Sequence, residues 1–437
     1  MTSKAKGVLF ALAAAGILLT AGILAYTLLK DDERTNEDDN PISDWAGPYL
    51  DEKNSTSGGI EDVVEANNEF GIDMLKALHE AEEGNIFISP YSIFTALSMT
   101  YEGARGNTAD EMKDVLHLPA NEKERLGSFA KVQNDINKGS DQYELATANA
   151  IWPKVQYEWK ELFIDTIKQY YYGKVQELDY IADTEACRET INTWVENQTN
   201  DRILDLIPPG LLGPLTYMVL TNAIYFKGEW VFEFDEDDTK KTPFHSPGGD
   251  VEVDMMHLKV EDDNKLPYYE NTEFQAVELP YKGDELSMVI ILPRDGDIDS
   301  LITDMEPDTL SSINNGLFDV ELDVHMPKFK LETKYELVPI MKQLGMNDAF
   351  ISGLADFSGM SDEGVGPYIS NIIHQTFIEV DEKGTEAAAA TAVVMRELLP
   401  SAGYYFNANE PFLFYIQQRD TGNILFMGAI KDPSLSG

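Results

Sequence analysis

The chain has 437 residues, with 77 Asp or Glu against 33 Lys or Arg, a formal net charge of −44. At 43% hydrophobic and 10% aromatic it can bury a real core, which excludes an acidic disordered tail; a surface this acidic repels phosphate and so excludes nucleic acid as the main partner. Such acidity suits a salt-rich source or an ordinary exported protein, and the single Cys187 excludes a disulfide framework, a cysteine-built zinc site and a CxxC redox pair.

Lys4 and Lys6 precede an almost uncharged run from Gly7 to Leu29, followed by Lys30 and then Asp31, Asp32 and Glu33. As a helix this run spans about 34 Å, enough for a hydrocarbon core of about 30 Å. Lysines before it and acids after it orient the amino end inside and the rest outside. A cleaved signal peptide is the competing reading, but its apolar part is usually about 7–15 residues and Leu28-Leu29-Lys30 lacks a small-residue cleavage pattern. Residues 1–30 are therefore expected to be a membrane anchor or signal segment. Residues 31–60, rich in Asp, Glu, Asn, Ser, Gly and Pro, are expected to be an acidic flexible tether, and 61–437 the folded domain.

Helical spacing begins near Ile60 and runs through Val63, Val64, Phe70, Met74, Leu75 and Leu78 to about Gly84. Ser89-Pro90-Tyr91-Ser92 opens a second helix, and Ala109–Leu116, Glu158–Tyr170 and Cys187–Thr199 read as further ones. After Tyr217 the character changes to short β-rich runs: Met218–Phe226, Phe274–Leu279, Leu286–Leu292, Val320–Met326 and Phe412–Ile416. Helices first and strands later, without βαβ alternation, predict the α+β class.

Catalytic patterns are missing. None of the six histidines (His79, His117, His245, His257, His325 and His374) forms HExxH, and there is no GxSxG or Walker-type loop. Asp235-Glu236-Asp237-Asp238 lacks EF-hand spacing and reads as a solvated acidic turn. Neither an enzyme, a metal site nor a cofactor is expected. Asn54-Ser-Thr and Asn197-Gln-Thr fit the glycan-acceptor pattern, which arises often by chance.

The most unusual segment runs from Asp381 to Pro400. Glu386–Leu399 reads as a helix by alanine propensity. It reads equally as a strand with Thr385, Ala387, Ala389, Thr391, Val393 and Met395 on one uncharged face. A segment compatible with loop, helix and buried strand suits a conformational switch.

The run from Glu379 to Ala390, EVDEKGTEAAAA, resembles the hinge of the serpin family of protease inhibitors. NIFISPYS from Asn85, TNAIYFKGEW from Thr221, MPKF from Met326, FNANEPF from Phe406 and GNILFMGA from Gly422 are similar to other blocks of that family, in its order. The resemblance covers about residues 62–435 and departs from the family pattern at Glu410. It implies a metastable α+β fold with three sheets, eight or nine helices and an exposed reactive loop. It also implies irreversible trapping of a serine, or cysteine, protease as an acyl-enzyme while the cleaved loop inserts into the large sheet. Such a chain would be a monomer whose partners are the target protease and, through residues 1–30, a membrane, on the outer cell face or secreted. With the anchor, a prokaryotic or archaeal member is expected.

By position, the resemblance assigns the hinge to Glu382, Gly384, Thr385, Glu386, Ala387, Ala388, Ala389 and Ala390. Ser89, Ser92, Asn222 and His374 would form a buried cluster (the shutter) where strands part, and Trp230, Lys328 and Glu382 the point of loop entry (the breach). The family's spacing puts the reactive bond at Leu398–Leu399 and an apolar-pocket protease as target; Arg396–Glu397, with a trypsin-like target, is the alternative, and counting back from Pro411 lands on Pro400. A hinge of Thr385 and four alanines, without proline before Pro400, reads as inhibitory. A non-inhibitory binding protein or chaperone of the same fold is the other class.

Overall fold

A computed structural model describes residues 49–156, 158–261, 264–361, 366–385 and 403–436. Residues 1–48, which hold the expected anchor and most of the tether, lie outside the described residues, as do 386–402 with Glu386, Ala387–Ala390, Arg396, Glu397, Leu398 and Leu399. Among the described residues no helix is long and apolar enough to cross a membrane.

The first half contains α1 (Ser57–Ala81), β1 (Ile86–Ile88), α2 (Pro90–Tyr101), α3 (Gly106–Val115), α4 (Glu122–Ile136), β2 (Tyr143–Pro153), α5 (Glu161–Tyr170), β3 (Lys174–Val175), α6 (Thr184–Gln198) and β4 (Met218–Glu229). Then follow β5 (Lys240–Ser246), β6 (Gly249–Val260), β7 (Leu266–Glu270), β8 (Phe274–Pro280), β9 (Leu286–Pro293), α7 (Ile298–Thr303) and α8 (Pro307–Gly316). The chain ends with β10 (Phe318–Val320), β11 (Leu322–Pro327), β12 (Phe329–Glu336), α9 (Val338–Leu344), β13 (Asn371–Val380), β14 (Gly384–Thr385), β15 (Tyr404–Asn407), β16 (Phe412–Gln418) and β17 (Ile424–Ile430). The α+β class is as read from the sequence.

Three sheets organise these elements: a seven-stranded one ordered β1-β17-β16-β9-β8-β7-β10, a six-stranded one ordered β12-β13-β14-β4-β2-β3, and a four-stranded one ordered β15-β11-β6-β5. β16 and β17 are buried along their whole length, and Phe87 of β1 stacks on both Phe414 and Phe426 at 5.7 and 5.6 Å. β12 instead alternates buried and exposed residues, as expected of an edge strand with one wet face.

α1 starts three residues before Ile60, because the Thr56 hydroxyl accepts the Gly59 N–H at 2.9 Å as an N-cap. Just upstream, Leu50 is buried and its N–H donates to Asn134 Oδ1 at 2.9 Å, so the end of the acidic segment is docked and any tether ends before Leu50. The run Val320–Met326 is not one strand. Val320 closes β10 against Leu266 of β7, whereas Leu322 opens β11 against Val260 of β6, so the chain changes sheets at Glu321. Asp235–Asp238 forms an exposed turn capped by the Asp235 carboxylate.

Candidate functional site

The six-stranded sheet has an opening at its centre. β2 pairs along its full length with β4, and β12 with β13, both antiparallel. β4 and β13 pair with each other only from Asn371↔Val219 to Thr376↔Ile224, and they do so in parallel. Beyond that the two strands part, and the top of the gap is taken by β14, antiparallel to both: Gly384 lies opposite Glu229, and Thr385 lies opposite Gly228 and Val380. Among the described residues, Tyr225–Lys227 and Phe377–Glu379 face the gap without pairing across it. Backbone donors and acceptors so placed are a template for another strand.

Gly384 fits because it has no side chain: a Cβ there would sit 2.0 Å from the Gly228 carbonyl oxygen. Thr385 is buried, and its hydroxyl shares a 2.7 Å hydrogen bond with the Tyr281 hydroxyl. Tyr281 stacks on Trp230 at 4.5 Å. Trp230 in turn donates from Nε1 to the Asp381 carbonyl (3.1 Å) and from its backbone N–H to the Lys383 carbonyl (2.8 Å). Glu382 is buried. Burial alone would raise its carboxyl, but the Lys328 ammonium at 2.6 Å and the Thr239 hydroxyl at 2.7 Å outweigh it and hold the group below its ordinary value. Trp230, Lys328, Glu382, Gly384 and Thr385 thus come together at the top of the opening. Tyr281 and Thr239, which the sequence did not single out, complete the contacts.

Where β4 and β13 still touch lies a buried polar cluster. His374, Asn222 and Asn149 form one row across β13, β4 and β2. The Ser89 N–H donates to His374 Nε2 at 3.0 Å, which leaves the proton on Nδ1, hydrogen-bonded to Asn222 Oδ1. Asn222 Nδ2 donates to Asn149 Oδ1 at 2.8 Å, and the Ser92 hydroxyl to the same oxygen at 2.9 Å. The Ser89 hydroxyl caps α2 and donates to the Leu425 carbonyl at 2.6 Å, which ties the cluster to β17. The structure brings Ser89, Ser92, Asn222 and His374 together; Asn149 was missed. Its one signal was an amide between two alanines in an otherwise apolar buried run.

Burial pushes the His374 imidazole down to about 3, from 6.5. The unfolded chain then takes up a proton below pH 6.5 that the folded one refuses until about pH 3, so stability falls with falling pH across that window. Between pH 7.5 and pH 5 the loss from this group should be about 2 kcal/mol. His374→Asn should be less stable at pH 7.5 but lack this slope. Urea melts of both proteins at the two pH values decide it: an equal slope in both would mean His374 titrates near its free value.

Comparison with known proteins places the whole region. The family model described as "Serpin (serine protease inhibitor)" matches residues 65–433. An uncharacterised serpin-like protein of Methanosarcina mazei is 40% identical over 381 residues, covering 85% of this chain and 88% of that protein. One from Thermococcus kodakarensis is 41% identical, covering 86% and 87%. The crystal structure of Serpin48, from the insect Tenebrio molitor, superposes with a TM-score of 0.74 at 32% identity, over 86% of this chain and 98% of that one. With three sheets of seven, six and four strands and a β14 lodged between parting strands, this chain belongs to the serpin family, whose members are not enzymes.

Proposed function

We propose that the chain is an irreversible, suicide-type inhibitor of serine proteases and, by the same acyl chemistry, of cysteine proteases. One observation carries the reading: the register in which β14 enters the opening. Continued residue for residue, it sets Ala387 between Phe226 and Ile378, Ala389 between Ile224 and Thr376, Thr391 between Asn222 and His374, and Val393 between Leu220 and Ile372. Small side chains meet the bulky upper rows, and the hydroxyl meets the polar row. Glu386, first on the opposite face, meets Lys227. Met395 reaches Met218, where β4 begins.

In this mechanism the target's nucleophile attacks the Leu398 carbonyl, expels the Leu399 amine and forms an acyl-enzyme. Released at that end, the loop adds to the sheet as a strand and carries the protease across it. Insertion replaces six residues of parallel pairing with antiparallel ladders on both sides. Trp230, Lys328 and Glu382 would act as the breach that receives the loop, and Ser89, Ser92, Asn222 and His374 as the shutter that must open, with Thr391 displacing Asn222 from His374. Incubation with chymotrypsin, elastase or subtilisin should give a denaturation-resistant band of protease plus inhibitor. A cut loop with fully active protease would instead mean the non-inhibitory class.

Residues 1–30 would hold the inhibitor on the outer face of a membrane. Residues 31–48 as a flexible chain reach roughly 20–25 Å, enough to lift the domain off the surface. The amino terminus of the exported protein tests this: a start beyond Ala25 would mean cleavage and release.

A further inference from the structure

Two histidines with no role in the opening meet on the outer face of the four-stranded sheet. His257 of β6 and His325 of β11 are register partners, and their rings stack with centroids 4.4 Å apart and planes 5° from parallel. Asp323, two residues before His325 and so on the same face of β11, sends one carboxylate oxygen to both rings. That oxygen lies 2.9 Å from Nε2 of His257 and 3.0 Å from Nε2 of His325. The three donor atoms lie within 4.8 Å of one another, and this is the one group of three so arranged among the described residues. The side chains are 28, 32 and 28% exposed for His257, Asp323 and His325, open enough for an ion to enter.

Both rings turn Nε2 toward the same Asp323 oxygen, so two ring nitrogens and one carboxylate oxygen, all usable by a metal, already converge. A cation there would take the two Nε2 lone pairs, each ring keeping its proton on Nδ1, with the carboxylate as the anionic ligand. Tetrahedral zinc takes His at about 2.0–2.1 Å and carboxylate at about 2.0–2.2 Å, which sets its ligand atoms about 3.3 Å apart. Opening the observed 2.9 and 3.0 Å separations by a few tenths of an ångström gives that spacing to the oxygen, and the two rings must also tilt out of their parallel stack so that both nitrogen lone pairs meet the ion. Calcium and magnesium prefer all-oxygen shells and are poorly served by two imidazoles.

We propose that His257, Asp323 and His325 form a binding site for a divalent transition metal of the zinc class. The fourth position is left to water beside Tyr405, whose ring lies 5.4 Å from that of His325 and which sits opposite Asp323 in register. Because its ligands come from two strands, the ion clips β6 to β11, the strand on which β15 is laid. The chain resumes in β15 just after residues 386–402, so the clip stiffens the sheet to which the far end of the reactive loop is tied.

Calorimetric titration of the full-length protein with zinc chloride, in a magnesium-containing buffer that saturates weak acidic sites, tests the proposal. One zinc per chain is expected, with a rise in melting temperature, and cobalt in its place should show the intense visible bands of a four-coordinate ion. His257→Ala and His325→Ala should each weaken zinc binding at least as much as the about 10–100-fold loss typical of an outer-shell partner. Asp323→Asn, which keeps the side chain's shape, should do the same while melting like wild type in EDTA. Unchanged stoichiometry and affinity in these variants, or no binding at millimolar zinc, would overturn the site.

Discussion

Thr385→Arg should abolish protease trapping while leaving cleavage of the reactive loop at its normal rate. Thr385 is 1% exposed, hydrogen-bonded to Tyr281 and paired with both Gly228 and Val380. Tyr281 and Phe226 close the space around it: a Cβ on neighbouring Gly228 would already meet Phe226 at 2.7 Å and Tyr281 at 2.9 Å. An arginine on this face would meet the Phe226 and Tyr281 rings, and among the described residues no carboxylate is in contact with the Thr385 side chain. Leaving a guanidinium buried and unpaired costs several kcal/mol. The first residue of the strand would therefore be expelled, and everything that follows it would lose its register. In the proposed mechanism the scissile bond lies well beyond, so the protease should still cut, but the acyl-enzyme should hydrolyse before insertion overtakes it. Mixed with a susceptible protease, the variant should yield cut inhibitor, recovered protease activity and no denaturation-resistant band. Thr385→Ser, which keeps the hydroxyl for Tyr281, should trap nearly as wild type. A Thr385→Arg protein that still forms the complex at one-to-one stoichiometry would remove β14 as the start of the inserting strand.

What the sequence disclosed, and what it hid, follows from the range of the interactions. α1 and α2 announce themselves locally, through periodic apolar residues and the Ser89-Pro90 start, and β4 through its apolar run. Ser89, Ser92, Asn222 and His374 were named by family resemblance alone; no spacing joins residues that meet only across β13, β4 and α2. Asn149 escaped because its partners, Asn222 and Ser92, are set by the register of β2 on β4. The change of sheet at Glu321 was invisible because both halves of the run are equally β-rich. Only partners far away in sequence, Leu266 for Val320 and Val260 for Leu322, separate them. His257 and His325 were dismissed for lack of a local motif, yet an antiparallel register makes them neighbours.

Leu398→Arg should transfer inhibition from proteases with an apolar primary pocket to trypsin-like ones, whose pocket carries a buried carboxylate. A mismatched primary side chain leaves that charge unpaired or buries a guanidinium in an apolar slot, so each rate should change by at least about a hundredfold, in opposite directions. The register of β14 bears on which bond is cut. Carried down β4 to Met218, the inserted strand uses Gly384–Met395. An ester on Leu398 would then hang from three further residues, about 10 Å of extended chain, enough to carry it past the sheet's end. An ester on Arg396 would hang from that residue alone and press the protease against the strand ends before β14 was complete. Full insertion therefore favours Leu398, independently of the count from Glu382. The intact mass of the carboxyl fragment released on attack reads the bond directly. A fragment beginning at Leu399 is expected. One beginning at Glu397 would establish the arginine register, in which case Arg396→Leu, not Leu398→Arg, would switch the target.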